Sequence, residues 1–196
     1  MLTDRQKEII ETSIELIAEK GIQGLTMKNL SKSIGISEPA IYRHYENKIE
    51  ILKSILDYFF VHVKNILEKE LNTADSALQK ISNIYSRHFE QFSQKPQLLA
   101  VIFSEELFRN EPSLSRKVAV IMEQNRQMIQ SILEAGQKNG EIDAGLNPAH
   151  LSVIILGALR LLAKQWQMNE YTFDLKLDGA RLFETIKLLI NNKELK

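Results

Sequence analysis

The sequence predicts an all-α protein of nine helices. In 196 residues there are only eight glycines and four prolines, and between them apolar residues recur at spacings of three and four. The alternation of apolar and polar residues that is typical of strands is nowhere sustained. Because 44% of the residues are hydrophobic and 26% are charged, the composition is typical of a globular protein with a buried core.

The helix boundaries follow from caps and breaks. The predicted helices span residues 3–20, 27–34, 37–45, 48–71, 74–94, 96–110, 113–139, 148–168 and 173–191. Gly21 is a suitable C-terminal cap for the first helix, and Gly35 ends the second. Thr26, Ser37 and Asn47 are good N-caps for the next three helices, because their side-chain oxygens accept hydrogen bonds from backbone N–H groups.

Proline and glycine divide the rest of the chain. Pro96 separates the fifth and sixth helices, and Pro112 closes the sixth. Gly140 ends the seventh helix, and Pro148 occupies the first turn of the eighth, where its missing N–H costs no hydrogen bond. We therefore expect short connections between helices throughout the chain.

The composition excludes several kinds of site. The chain has no cysteine, which removes disulfides, thiolate metal ligands and a cysteine nucleophile. The histidines lack the spacing of metal ligands; they are His44, His62, His88 and His150. The sequence contains neither a Gly-rich phosphate loop nor the serine or zinc motifs of hydrolases. We therefore predict a protein that is not an enzyme and that holds no metal or cofactor.

The sequence also predicts a cytoplasmic protein without a membrane segment. No basic stretch followed by an apolar core stands at the N-terminus, so we expect no signal peptide. The longest uncharged apolar run, residues 151–159, is much shorter than the roughly 20 residues that span a bilayer. Basic and acidic residues number 25 each, so only a local excess of positive charge can favour a nucleic-acid partner.

Residues 26–45, TMKNLSKSIGISEPAIYRHY, predict a helix-turn-helix motif. Gly35 supplies the residue that tolerates positive φ in the turn, and the small Ser31 lets the two helices approach. Apolar side chains then hold the second helix on the first; they are Leu30, Ile34, Ile36 and Ile41. Such a helix pair alone also occurs in many other helical proteins.

Charge and aromatic residues make this motif more specific. Residues 26–48 include four basic and two acidic side chains, and the second helix ends in YRHY. Tyr45 is in phase with Ile41 and is predicted to be buried, whereas Tyr42 and His44 face outward. Two aromatic rings beside two basic side chains favour a helix that reaches base edges and phosphates in a major groove.

The segment GIQGLTMKNLSKSIGISEPAIYRHYENKIEIL resembles the DNA-binding domain of the TetR (tetracycline repressor) family of bacterial regulators. The matching features are Gly21 to Thr26, Leu30, Gly35-Ile36-Ser37, Ala40-x-Tyr42-x-His44-Tyr45 and Asn47-Lys48. The resemblance implies a TetR-like fold. A helix-turn-helix DNA-binding domain would then cover residues 1–47, and a helical domain for ligand binding and dimerisation would cover residues 48–196.

The resemblance assigns ten residues to DNA. The positions that resemble phosphate contacts are Thr26, Lys28, Tyr42 and Lys48. The positions that resemble the base-facing set are Ser37, Glu38, Pro39, Ala40, Arg43 and His44. Among these, Arg43 is suited to guanine, and Ala40 and Pro39 are suited to a thymine methyl group.

Two residues depart from the family pattern. Tyr45 stands where phenylalanine is commoner, which leaves the motif intact. Glu38 places a carboxylate on the DNA-reading helix, where it would repel phosphate; alternatively, it accepts a hydrogen bond from a cytosine amino group.

Residues 151–163, LSVIILGALRLLA, are apolar nearly all round, so this helix is predicted to be buried on most sides. The resemblance implies that the last two helices pair with those of a second copy as a four-helix bundle. Arg160 interrupts the apolar run and needs a partner. Two roles are open: an ion pair, either at the dimer interface or with Glu105, Glu106 or Asp174, or binding of a ligand carboxylate.

The resemblance also implies a ligand cavity in the helical body. Candidate lining residues are Phe60, Tyr85, Phe89, Phe103, Phe108, Met122, Asn125, Met128, Arg160 and Trp166. Residues of this kind also form ordinary core. Their composition favours a small apolar or aromatic effector.

These observations predict a homodimeric repressor that binds a near-palindromic operator in double-stranded DNA and is released by a small-molecule effector. Two other classes stay open. One is a helical protein-binding module that has lost DNA affinity, which Glu38 and the zero net charge favour. The other is an enzyme with a pocket in the helical bundle, which requires paired titratable groups in a cavity.

Overall fold

The computed structural model describes residues 2–104 and 111–191. The described helices are α1 (Asp4–Gly24), α2 (Met27–Ile34), α3 (Glu38–Tyr42), α4 (Lys48–Leu71), α5 (Ala77–Gln94), α6 (Gln97–Ile102), α7 (Pro112–Lys138), α8 (Pro148–Met168) and α9 (Leu175–Ile190). Apart from one isolated bridge between Ile142 and Asn191, these residues contain no β-structure. The all-α prediction is confirmed. None of the described helices has both the length and the apolarity needed to cross a membrane.

Two predicted helices are shorter in the structure. The third ends at Tyr42 rather than at residue 45, because the following amides close tighter turns. The His44 N–H, for example, donates to the Ile41 carbonyl at 2.8 Å. The sixth was predicted to continue to residue 110 but ends at Ile102, and residues 105–110 lie outside the described part.

The starts and ends of other helices follow their caps. The fifth helix begins at Ala77, three residues later than predicted, because the Ser76 hydroxyl accepts from the Gln79 amide at 3.2 Å. The first helix reaches Gly24, but Gly21 has φ 67° and ψ −179° within it. Regular helix therefore stops at the glycine that the sequence indicated.

The chain forms two compact units. The first comprises the described residues between 2 and 61 and between 96 and 118. The second comprises those between 62 and 95 and between 119 and 191. The helices α4 and α7 each contribute to both units.

In the first unit, α1 packs against α2 and α6, and α2 packs against α3. The start of α1 is fixed by a capping box in which Thr3 accepts from the Gln6 amide and Gln6 accepts from the Thr3 amide. Apolar residues at helical spacing then face one core. Its fully buried side chains include Ile9, Ile10, Leu30, Ile41, Ile51 and Leu99.

In the second unit, α9 packs against α5 and α8 around a cluster of aromatic rings. Tyr85 lies edge-on to Phe89 and beside Phe183, and its hydroxyl donates to the Ile155 carbonyl at 2.5 Å. The helices α5 and α9 approach closely because Gly179 faces the Phe89 ring. A Cβ at position 179 would overlap that ring, so only glycine fits without a shift of the neighbouring atoms.

A buried carboxylate ties the end of α4 to α5 in the same unit. Glu70 is only 1% exposed, and both its oxygens have partners. The Arg87 guanidinium lies 3.0 Å from one oxygen, and the Asn83 amide donates to the other at 2.9 Å. Because a buried charge without such partners is costly, this cluster fixes how these two helices meet.

His88 is a second buried polar group, located on α5. Its Nδ1 lies 2.8 Å from the Ile84 carbonyl, and its ring packs edge-on to Phe92. Burial lowers the pKa of His88 to about 4, and the Ile84 carbonyl offsets this only in part. The imidazole is therefore neutral at physiological pH.

The described residues contain no cluster of three potential metal-binding side chains.

The buried His88 predicts a pH dependence of stability. The pKa of this imidazole in the unfolded chain is about 6.5. Between pH 6.5 and 4, His88 is therefore protonated in the unfolded state and neutral in the folded state. Stability should fall as the pH falls through this window, by up to roughly 3 kcal/mol from this group alone. Urea unfolding at several pH values should show a shallower pH dependence for His88→Gln than for the unmodified chain.

The exposed His150 provides the control. His150→Gln should leave the pH dependence of the unfolding free energy as it is in the unmodified chain. An unchanged slope in His88→Gln would contradict a buried neutral imidazole in the folded state.

Candidate nucleic-acid interface

The turn between α2 and α3 depends on Gly35, which adopts the left-handed conformation with φ 78° and ψ 30°. Its N–H and that of Ile36 both donate to the Ser31 carbonyl, at 2.9 and 3.0 Å. At the other end of α2, the Thr26 hydroxyl accepts from the Asn29 amide at 3.0 Å. The Thr26 cap and the turn glycine are thus confirmed. Ser37 stands at the N-cap position of α3 as predicted, but its side chain makes no capping hydrogen bond, so that part of the prediction is wrong.

Buried side chains hold α3 against α2. Leu30 and Ile41 are fully buried, and the small Ser31 lies between the helices with its hydroxyl bonded to the Lys28 carbonyl. Tyr45 is buried as predicted, and burial raises the pKa of its phenol. These contacts orient α3 so that its opposite face is open to solvent.

The open face carries most of the side chains predicted to contact DNA. Tyr42 is 49% exposed, and His44 is exposed, as predicted. The other exposed members of the predicted set are Thr26, Lys28, Ser37, Pro39 and Arg43. Glu38, Ala40 and Lys48 are partly exposed. All ten therefore have surface available.

Within the part of the chain that the structure describes, the cations of this motif differ from neighbouring cations in having no carboxylate partner. Among the described residues, Lys28, Lys32 and Arg43 form no ion pair. Neighbouring cations of α1 and α4 are paired with carboxylates; they are Arg5, Lys7, Lys20 and Lys53. The positive charge of the motif is thus available for an anionic partner, in spite of the zero net charge of the chain.

Lys48 has a structural contact that the sequence did not indicate. Its ammonium donates to the Ile22 carbonyl at 2.6 Å and so joins the start of α4 to the end of α1. Asn47 caps α4 as predicted, because its side-chain oxygen accepts from the Glu50 amide at 3.1 Å. Lys48 therefore positions the helix that follows the motif, and its contact with phosphate stays a prediction.

Two protein-family models match the chain and together cover most of it. "Bacterial regulatory proteins, tetR family" matches residues 9–55, and "YsiA-like protein, C-terminal region" matches residues 58–191. The chain belongs to the TetR family. It is a DNA-binding transcriptional regulator, and the helix-turn-helix of residues 26–45 lies within the range that the first model matches.

The relatives of this TetR-family chain include regulators of known name. A fatty acid metabolism regulator protein of Bacillus subtilis (strain 168) is 26% identical over 186 residues, 95% of each chain. A probable acrEF/envCD operon repressor of Escherichia coli (strain K12) is 22% identical over 188 residues, covering 92% of this chain and 84% of the repressor.

Solved structures share the fold of this TetR-family chain. The structure of FadR from Bacillus subtilis in complex with stearoyl-CoA aligns with a TM-score of 0.82 at 24% identity, over 97% of this chain and 99% of that one. The ketosteroid regulator KstR2 of Mycobacterium tuberculosis aligns with a TM-score of 0.81 at 16% identity, over 98% of each chain.

The ligand-pocket candidates of this TetR-family chain are spread over both units. Phe60 and Phe103 belong to the first unit and are partly exposed. The candidates in the second unit are Tyr85, Phe89, Met122, Asn125, Met128, Arg160 and Trp166. Phe108 lies outside the described residues. The pocket therefore stays a prediction.

Three of these candidates form the core of the second unit. Tyr85 and Phe89 are the aromatic residues packed at α9, and the Trp166 indole N–H donates to the Phe173 carbonyl at 2.9 Å. Other candidates are more accessible: Met122 is half-exposed, and Asn125 and Met128 are partly exposed.

In the single chain, the apolar helix α8 is not buried on most sides, and its burial against a second copy stays a prediction. Val153, Ile154 and Leu161 are all more than half exposed, and Gly157 faces open space. Arg160 lies in the same exposed stripe rather than in the core. The prediction used hydrophobicity, which does not distinguish a core from a surface covered by another molecule.

Of the three carboxylates predicted as ion-pair partners of Arg160, only Asp174 lies within the described residues. The Asp174 carboxylate accepts from the Lys176 and Leu177 amides, both at 3.0 Å, and so caps α9. Glu105 and Glu106 lie outside the described residues. The role of Arg160 therefore stays a prediction.

The exposed cations predict two kinds of DNA-binding defect. Arg43→Ala should weaken binding to the preferred operator by about 1–3 kcal/mol and relax specificity at one or two base pairs, because Arg pairs with guanine edges. Lys28→Ala should weaken binding to all sequences alike and lower the salt slope by about one, because Lys28 is predicted to contact phosphate rather than a base. Fluorescence anisotropy with operator and random duplexes at several salt concentrations measures both.

The two variants serve as controls for each other, since each removes one exposed cation from the same motif. Equal losses on operator and random DNA for Arg43→Ala would contradict its assignment as a base-reading residue.

Proposed function

We propose that the protein is a ligand-responsive repressor that binds a near-palindromic operator as a homodimer. The observation that carries the proposal is the exposed side of the helix-turn-helix, where Arg43 and the α2 lysines Lys28 and Lys32 have no carboxylate partner among the residues that the structure describes. A left-handed turn at Gly35 and a buried Ile41 hold that face in place. We expect the protein to act in the cytoplasm and not to be an enzyme.

The proposal assigns roles to the ten residues of the motif. Phosphate contacts come from Thr26, Lys28, Tyr42 and Lys48, and base contacts come from Ser37, Glu38, Pro39, Ala40, Arg43 and His44. The DNA-binding domain then covers residues 1–47, and residues 48–196 form the domain for ligand binding and dimerisation.

The dimer would be formed through α8 and α9. Val153, Gly157 and Leu161 are spaced by four along α8, and all are exposed. On α9, Leu177 and Leu188 are about half exposed. Exposed apolar residues at this spacing are suited to a helix–helix seam with a second copy, related by a two-fold axis. A two-fold dimer places its recognition helices one DNA turn apart, about 34–36 Å.

The effector that we propose is a long-chain acyl-CoA. Support comes from the relative that matches 95% of this chain, a fatty acid metabolism regulator, and from the solved FadR complex with stearoyl-CoA. Its acyl chain agrees with the apolar effector that the side chains alone indicated, whereas its charged CoA group was not predicted. A ligand releases DNA only as far as it binds the DNA-free state more tightly.

Selection of bound fragments from a random DNA pool tests the regulator itself. The purified protein should enrich a near-palindrome with strong salt dependence, and the separation of its two arms gives the half-site spacing. A folded dimer that enriches no sequence, from a preparation shown by mass spectrometry to hold no small molecule, would favour the protein-binding alternative.

The effector class has its own test. Stearoyl-CoA should weaken binding to the selected operator by about tenfold or more, within the range of ordinary allosteric coupling. Stearate and CoA, added separately, are the controls, because each carries only one half of the ligand. An operator affinity that saturating stearoyl-CoA leaves unchanged would rule out this class while leaving the regulator proposal intact.

The dimer seam predicts the behaviour of one matched pair of variants. Val153→Lys, at a residue 58% exposed on α8, should yield monomers and abolish operator binding, because a charge would enter the apolar seam. Val120→Lys, at a residue 57% exposed on α7, should remain dimeric. Analytical ultracentrifugation measures the assembly state. A dimeric Val153→Lys protein would place the interface elsewhere.

A further inference from the structure

We propose that Glu38 reads a cytosine in each operator half-site and thereby sets the base preference of this regulator at that position. This inference rests on the proposed function, since it requires that α3 enters a major groove. The negative charge of Glu38 by itself weakens binding to DNA, because phosphates repel a carboxylate.

The position of Glu38 favours contact with base edges. It is the first residue of α3 and is partly exposed. In helix-turn-helix complexes, residues near the start of the recognition helix contact bases, whereas flanking elements contact the backbone. The preceding Ser37 is exposed and makes no side-chain capping bond, and no hydrogen bond of the Glu38 side chain occurs among the described residues.

The Glu38 carboxylate has no ion-pair partner among the residues that the structure describes. Many other acidic side chains are paired, such as Asp4, Glu8 and Glu50 in the same unit. Its hydrogen-bonding capacity is therefore not used within the described fold. A carboxylate that is held on a DNA-facing helix without a partner is available to accept a hydrogen bond from DNA.

The chemistry of the major groove selects one base. An ionised carboxylate only accepts hydrogen bonds, whereas guanine presents two acceptors there and thymine presents one. Adenine offers an amino donor, but its N7 acceptor lies beside that donor and would face the second carboxylate oxygen. Cytosine offers its amino donor without an adjacent acceptor. Glu38 therefore favours cytosine over the other three bases.

The same charge also lowers affinity for DNA of random sequence. Near a polyanion, a carboxylate is repelled unless a base donor compensates. At an operator, the cytosine amino group supplies that compensation; at other sites nothing does. Glu38 would therefore act in two ways, by favouring the correct base and by weakening binding to incorrect sequences.

The test exchanges the carboxylate for an amide. Glu38→Gln presents a donor and an acceptor, which match the N6 and N7 groups of adenine. Selection from a random DNA pool should recover cytosine at one position of each half-site for the unmodified chain and adenine there for Glu38→Gln. Glu38→Ala should lose the preference at that position without gaining another. The affected position should discriminate between bases by roughly 5- to 150-fold.

Glu46→Gln is the matched control. Glu46 is an exposed carboxylate just after α3, it forms no ion pair among the described residues, and its substitution makes the same change in charge. It should leave the selected sequence unchanged. Affinity for random DNA should rise more in Glu38→Gln than in Glu46→Gln.

The outcomes separate this inference from the function on which it rests. If the unmodified chain enriches no sequence, the proposed function fails. If it enriches a near-palindrome and both Glu38 variants recover the same consensus, Glu38 does not read a base and this inference is overturned. A consensus that changes in the Glu38 variants at a position other than cytosine would also overturn it.

Discussion

Gly35 turns the chain between α2 and α3 in the left-handed conformation, which a residue with a Cβ adopts only at a cost in free energy. Two amides on the Ser31 carbonyl close this turn. Because the turn fixes the direction of α3, Ile41 is buried while Arg43 is exposed. The open face, its cations and the chemistry proposed for it all follow from this one local conformation.

Local features of this motif could be predicted because each depends on residues close together in the sequence. Thr26 and Asn47 cap helices, and Tyr45 is buried one turn after Ile41. The contact of Lys48 with the Ile22 carbonyl joins residues 26 positions apart, and no local pattern indicates it. A lysine at the start of a helix is equally typical of a residue that contacts phosphate, so the position of Lys48 alone does not indicate the contact with Ile22.

In the second unit, too, features that depend on neighbouring residues could be predicted from the sequence, whereas contacts between distant residues could not. Spacing predicted its helices, but not that Glu70 would meet Arg87 and Asn83 in the interior. The charge of Glu70 would ordinarily indicate a surface residue. Likewise, the apolar run of α8 predicted burial, whereas Val153 and neighbouring residues are exposed in the single chain. The hydrophobicity of a helix face indicates that the face is covered, but it does not indicate whether the same chain or another molecule covers it.

The exposed side chains of α8 and α9 connect the stability of this regulator to its abundance. In the proposed dimer, Val153 and Leu161 would be covered only by pairing, which obeys mass action, so dilution would increase the fraction of chains in which these two residues face water. For a repressor made in few copies per cell, a cellular concentration below the dissociation constant of the dimer would leave mostly single chains. Such chains would be the preferred substrates of proteases, and the cell would retain the protein only above a threshold of expression.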